Sequence, residues 1–294
     1  MDTETFKSIK EIAQEYKEKL GIKIKSQTKL LSGFHDLDAI TNGFQPSNLV
    51  IIGGSSRIGK SSFAISLIRK MALEKHYSIM FYSLQQSSQQ VLQAIIAIET
   101  KIAVEKVQSH TLYHEELALI NQTIKKLKSY DLIISDYPFQ TIAAIERELR
   151  YYPPDYLPIV VIDSLQHIAT RKKDALGKIL NKNEMTEIAF RLKKMAVKYN
   201  IVVIAMFNFE IIQPSRRHYR PKNNDLIIQA PIHAFADIVL LLYRPEYYKI
   251  SRWNDENEAP TAGQAEIIIA KNTSGKLENI RVSFNGKMLC FDNI

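Results

Sequence analysis

One cysteine, Cys290, stands in the 294 residues, so neither an intrachain disulfide nor a multi-cysteine metal site can form. That scarcity suits a reducing compartment. Long apolar runs are missing too. The longest, such as 238–243, are of strand length and far short of the ~20 residues a membrane helix needs. The first residues include Asp2 and Glu4 and no continuous apolar region, so no secretory signal is expected, and the expected location is cytoplasmic. The seven histidines show no metal-ligand spacing, and no internal repeat or low-complexity tract occurs. Negative charge is in short supply, and the net charge of +8 favours polyanionic partners, nucleic acid among them.

What is present is alternation. Phe6, Ile9, Ile12, Ala13, Tyr16 and Leu20 recur at three- and four-residue spacing, and Gly21 stands where a helix would stop. The spacing predicts an amphipathic helix over 3–20, followed by a polar linker to about residue 29. From residue 48, β-branched runs at 49–52, 79–82, 132–134, 159–162, 201–206, 238–242 and 265–270 alternate with helical patterns at 60–75, 87–99, 115–128, 141–151 and 182–199. Near-continuous apolar strands are buried on both faces, which predicts an α/β domain over 30–294 with a mostly parallel twisted sheet flanked by helices. The segment 265–292 reads as a hairpin closing the sheet.

Gly54, Ser55, Ser56, Arg57, Ile58, Gly59, Lys60 and Ser61 fit the phosphate-loop pattern G-x-x-x-x-G-K-[ST] at every fixed position. The loop follows one expected strand and opens one expected helix. In that setting backbone N–H groups and a helix N-terminus cradle phosphates, with Ser62 on the first helical turn. Lys60 would reach the outer phosphates and Ser61 would ligate Mg²⁺. A second carboxylate is needed at a neighbouring strand end, and Asp163, after 159–162, supplies it. ATP and Mg²⁺ are the expected cofactors.

Further stretches accompany the loop in order. Residues 32–38 and 41–46 precede it and 82–87 follow it. Residues 162–166 surround Asp163, and 220–221, 225–226, 236–237, 243–248 and 265–271 come later. As a set they resemble the C-terminal motor domain of the DnaB-type replicative helicases of superfamily 4. The resemblance implies a RecA-like fold, a six-membered ring with ATP between subunits, and single-stranded DNA in the channel. It implies that 3–20 acts as a linker helix docking on the neighbouring motor. The family's N-terminal collar domain has no expected counterpart here.

Three positions depart from the resembled pattern. Gln85 stands where the family has the glutamate that polarises the attacking water, and an amide cannot take that water's proton. Lys271-Asn272-Thr273 replaces Lys-x-Arg, keeping the lysine but losing the arginine finger, for which Arg281 or Lys276 are the substitutes at hand. Asn208 stands in for a glutamine sensor. The resulting catalytic set is Lys60, Asp163, Gln85, Asn208 and Lys271.

Two basic segments, Arg171-Lys172-Lys173 and Arg216-Arg217-His218-Tyr219-Arg220 with Lys222, suit DNA phosphates, with Tyr219 placed to stack on a base. A solvated charge run or a subunit contact is the competing reading. His167, after a buried strand, reads as structural, and Trp253, in a polar insertion over 249–263, carries no signal. Two functions remain open: an ATP-driven helicase or translocase, and a hydrolysis-deficient ATP-binding subunit that joins or modulates a helicase ring. A RadA- or KaiC-like ATPase is a third.

Overall fold

The computed structural model describes residues 9, 29–153, 158–169, 180–211, 219–253 and 259–294. The expected linker helix therefore lies outside the described residues, except for Ile9. So do Arg171, Lys172, Lys173, Arg216 and Arg217.

The frame is one nine-stranded sheet in the order β3-β2-β4-β5-β1-β6-β7-β8-β9. Its strands are β1 (Leu49–Gly54), β2 (Ile79–Ser83), β3 (Leu132–Ser135), β4 (Ile159–Asp163), β5 (Val203–Asn208), β6 (Ile238–Tyr243), β7 (Gln264–Asn272), β8 (Asn279–Asn285) and β9 (Cys290–Asp292). Strands β1–β6 run parallel and β7–β9 antiparallel. The closing segment is thus a three-stranded meander, one strand more than a hairpin, because the chain turns back after 285 to add β9.

The helices are α1 (His35–Thr41), α2 (Lys60–Arg69, continued by a π turn Lys70–Glu74), α3 (Ser88–Thr100), α4 (Val104–Ser109), α5 (His114–Leu127), α6 (Ile142–Leu149), α7 (Lys182–Tyr199) and α8 (Asn223–Gln229). α1, α4 and α8 are too short to show a full apolar period, which is why the residue pattern missed them.

Burial on both faces explains the apolar strands. Along β1, Val50 and Ile52 face a core shared with Phe63 and Leu67 of α2 and Val91 and Ile95 of α3. Leu49 and Ile51 face the opposite core, with Ile145 of α6 and Leu192 and Met195 of α7. This two-residue alternation is the pleat itself. The connection after β1 lies on one face and the one after β4 on the other. Their strands flank β5, so a crevice opens at the carboxyl ends of this part of the sheet.

Local caps fix the helix starts. Ser87 accepts from Gln90 N and Asn181 from Glu184 N, each completed by a reciprocal side-chain bond. Asp237 ties the sheet's lower end together: Oδ2 accepts from Leu49 N at 2.7 Å and from Lys193 Nζ at 2.7 Å. Trp253 is a correction to the sequence reading. It is buried, its Nε1 donates to Gln264 Oε1 at 2.8 Å, and the Arg281 guanidinium lies 4.5 Å above its ring.

Candidate active site

Register brings several of the expected site positions to the carboxyl ends of neighbouring strands. Gly54, the last residue of β1, pairs with Asn208, the last of β5. Ser83, the last of β2, pairs with Asp163, the last of β4. Leu84 N then donates to Asp163 O at 2.8 Å, which holds Gln85 beside the end of β4.

Between β1 and α2 the chain bends sharply. Gly59 has φ +107, a conformation that L side chains rarely adopt. A Cβ on Gly54 would lie 2.8 Å from Ile58 Cγ2, so the fold itself demands the first glycine. α2 starts at Lys60, and Phe63 N closes its first turn onto Gly59 O at 2.8 Å. Phe63 anchors the helix by stacking on Phe34 and meeting Phe291 edge-on.

Lys60 is buried, and its Nζ donates to Gly54 O at 2.9 Å and Ser55 O at 2.6 Å, folded back on its own loop. Burial pushes its pKa down to about 8, against the attraction of Asp163. Asp163 is 2% exposed. Burial raises its pKa, opposed by a hydrogen bond from Ser61 and the charges of Lys60 and His167. Its Oδ1 is buried with no partner among the described residues. An orphaned carboxylate oxygen costs about 1–3 kcal/mol. A hard divalent cation takes just such oxygen ligands, with a serine hydroxyl alongside. The residues present therefore fit Mg²⁺.

Around this pair the structure sorts the other expected residues. Gln85 is exposed, and its Nε2 donates to Ser164 Oγ at 2.9 Å and lies 3.4 Å from His167 Nδ1. Asn208 is half-buried, and its carbonyl accepts from Gln166 Nε2 at 2.7 Å. Lys271 stands apart. It pairs with Val239, which is level with Ile51, three residues below Gly54. At ~3.3 Å per residue that is about 10 Å down the sheet from the phosphate loop of the same chain. Its Nζ donates to His233 O at 2.8 Å.

The basic cluster divides as well. Arg220 is engaged, with Nη2 2.7 Å from Oε1 of the buried Glu266, whose carboxyl is pushed up by burial and drawn back by that arginine. Lys222 is exposed at the start of α8.

Residue pattern alone missed an aromatic wall. Tyr248 hydrogen-bonds Ser55 of the loop, and Tyr219 stacks on it with ring centroids 5.0 Å apart. Arg244, whose Nη1 would lie 3.8 Å from a Cβ on Gly59, sits 3.5 Å over the Phe284 ring. The run Tyr243-Arg244 with Tyr247-Tyr248 was visible, but nothing in it said which ring meets the loop.

Known proteins match this arrangement over nearly the whole chain. A probable replicative DNA helicase of Trieres chinensis is 30% identical over 278 residues, covering 92% of this chain and 60% of its own length. The replicative DNA helicase DnaB of Geobacillus stearothermophilus is 29% identical, covering 87% of this chain and 55% of its own. The chain thus spans little more than half the length of these curated relatives. Among solved structures, one described as an ATPase domain superposes with a TM-score of 0.82 at 25% identity, covering 99% of this chain and all of that one. A DnaB-like replicative helicase, described with its primase interactions, gives 0.80 at 25% identity, covering 99% and 68%. The family model described as DnaB-like helicase C terminal domain matches residues 30–293, from just before α1 to just past β9. With its fold and its whole described sheet inside that match, the chain belongs to the DnaB-like helicase C-terminal domain family.

Proposed function

We propose that this chain is an ATP-driven motor domain that translocates on single-stranded DNA as part of a ring. The observation that carries the reading is the meeting of Lys60, Ser61 and Asp163 at the carboxyl ends of β1 and β4, with Asp163 Oδ1 lacking a partner among the described residues. Gly54 to Ser62 cradle the triphosphate, with Lys60 leaving its two carbonyls to meet it. Ser61 and Asp163 would hold Mg²⁺, which would supply charge neutralisation to the phosphates. Gln85 and Asn208 order water. Lys271, remote from its own loop, serves the nucleotide of an adjacent subunit. That geometry supports a ring, since the lysine is useful only across an interface.

Residues 1–29 form the linker and 30–294 the motor. DNA phosphates fall to Lys222, Arg220, Arg171, Lys172, Lys173, Arg216 and Arg217, with Arg220 also paired to Glu266. The second reading, a hydrolysis-deficient ATP-binding subunit of a helicase ring, is favoured by Gln85 and Thr273. Phosphate release measured with and without single-stranded DNA separates the two. The motor reading expects DNA-stimulated release that vanishes in Lys60→Ala. Tight Mg·ATP binding with no release under any DNA, salt or metal condition selects the second reading.

A further inference from the structure

We propose that His167 and Ser164 form a positioning relay that fixes the Gln85 amide with its oxygen free to hold the attacking water. The inference rests on the hydrolysing reading. It starts from the deficit at Gln85. An amide has a donor end and an acceptor end of nearly equal size, so an exposed, unrestrained amide presents the wrong end about as often as the right one. A carboxylate in its place would have no such ambiguity.

The structure supplies the missing restraint. Gln85 Nε2 donates to Ser164 Oγ at 2.9 Å, and Ser164 Oγ lies 2.9 Å from His167 Nδ1. Nε2 itself is 3.4 Å from the same Nδ1. Ser164 is fully buried at the end of β4 and has one hydroxyl proton to give. If Ser164 accepts from Gln85, it donates to His167, and Nδ1 must be the unprotonated nitrogen. The chain of donors then runs one way, from Gln85 through Ser164 to His167. The Nε2 end of the amide faces the relay, and Oε1 accepts no hydrogen bond from any described residue. Desolvation keeps the imidazole below the usual histidine range, opposing Asp163, so the neutral ring is the form this polarity needs. The opposite polarity, with Nδ1 protonated, would turn Oε1 inward and present Nε2 to the water.

Gln85 takes no proton in this scheme. It holds the water, the bond between the γ-phosphorus and the ADP oxygen breaks as the water oxygen adds, and the water's protons leave with the phosphate. His167 touches none of the reacting atoms, so it is a positioning residue.

Two measurements test the relay. In protein labelled with ¹⁵N-histidine and free of nucleotide, the His167 ring, assigned by loss of its signals in His167→Leu, is expected as the Nε2–H tautomer. Protonated Nδ1 overturns the inference. In steady-state hydrolysis, His167→Leu is expected to lower kcat about three- to tenfold, the loss of one hydrogen bond, with KM for ATP unchanged. His167→Asn, which returns an acceptor to the Nδ1 position, should recover most of that loss. In a Gln85→Ala background His167→Leu should do nothing further, because the two residues act as one unit. An equal loss in both backgrounds, or a change in KM alone, overturns the relay. Wild-type protein that binds Mg·ATP yet releases no phosphate defeats the hydrolysing reading, and the tautomer measurement then decides the relay by itself.

Discussion

The residues that would bind the triphosphate and those that would hydrolyse it are anchored differently. Lys60 and Asp163 are buried at 6% and 2% exposure, and the loop beside them is shaped by glycines the fold cannot replace. Gln85 and Thr273 are exposed, and Asn208 and Lys271 are half-buried. A change in the first group falls on buried side chains; a change in the second falls on side chains that solvent reaches. The difference teaches where such a domain is free to drift. The proposed phosphate-binding side chains are built into the fold, and the proposed hydrolytic ones are side chains that sequence change reaches at little structural cost.

The strongest way to break that contrast is to restore the hydrolysing side. Gln85→Glu with Thr273→Arg is expected to raise turnover by ~10³-fold or more, the scale of a catalytic base and an arginine finger acting on one transition state. Stability should move by less than ~0.5 kcal/mol, as for other exposed substitutions. Phosphate release and chemical denaturation check both halves. No gain in turnover would mean that the exposed positions are not what limits the reaction.

The contrast is sharpened by pH. The Lys60 pKa falls from its unfolded value to about 8 in the folded chain. Above that pH the folded lysine is neutral and loses its grip on phosphate. Nucleotide affinity should therefore decline up to about tenfold from pH 8 to 9, a step missing in Lys60→Ala. The stability effect has a definite sign. The unfolded chain binds more protons between about 8 and the ordinary lysine value, so Lys60 makes stability rise with pH across that window. Denaturant midpoints over the same range check it.

A smaller effect is expected at Asp163. Its folded pKa is raised, so its contribution to stability is fully present below the ordinary aspartate value and is lost as pH rises through the folded value. At neutral pH the nucleotide-free chain carries a buried, half-partnered carboxylate. Asp163→Asn should stabilise that state by ~1–2 kcal/mol, while removing the Mg²⁺ dependence of nucleotide binding. Thermal melts with and without Mg²⁺ read both. Destabilisation of the nucleotide-free chain would show that the carboxylate is fully satisfied by Ser61 and Lys60.

The legible part of this molecule was its backbone-encoded part. The phosphate loop, the strand ending in Asp163 and the alternation of strands with helices all express spacing along the chain. The strands appeared within a few residues of their bounds, with β1 running on to Gly54 and β4 including Asp163. Contacts made by distant residues stayed hidden. Gln85 and Ser164 are 79 residues apart, and Arg220 and Glu266 are 46 apart. The place of His167 beside Gln85 stayed hidden for the same reason. Trp253 looked idle in a polar insertion because its partners, Gln264 and Arg281, lie on other strands. Arg220 reads in the sequence as a DNA contact, and nothing in its spacing shows the pairing with Glu266.

Calorimetric titration of the purified chain with Mg·ATP, run beside Lys60→Ala, probes the central claim most directly. Saturable binding by the wild type, weakened about 10- to 100-fold in the variant as a charge-assisted contact is lost, is the expected result. No measurable affinity in the wild type, or equal affinity in both proteins, would contradict it.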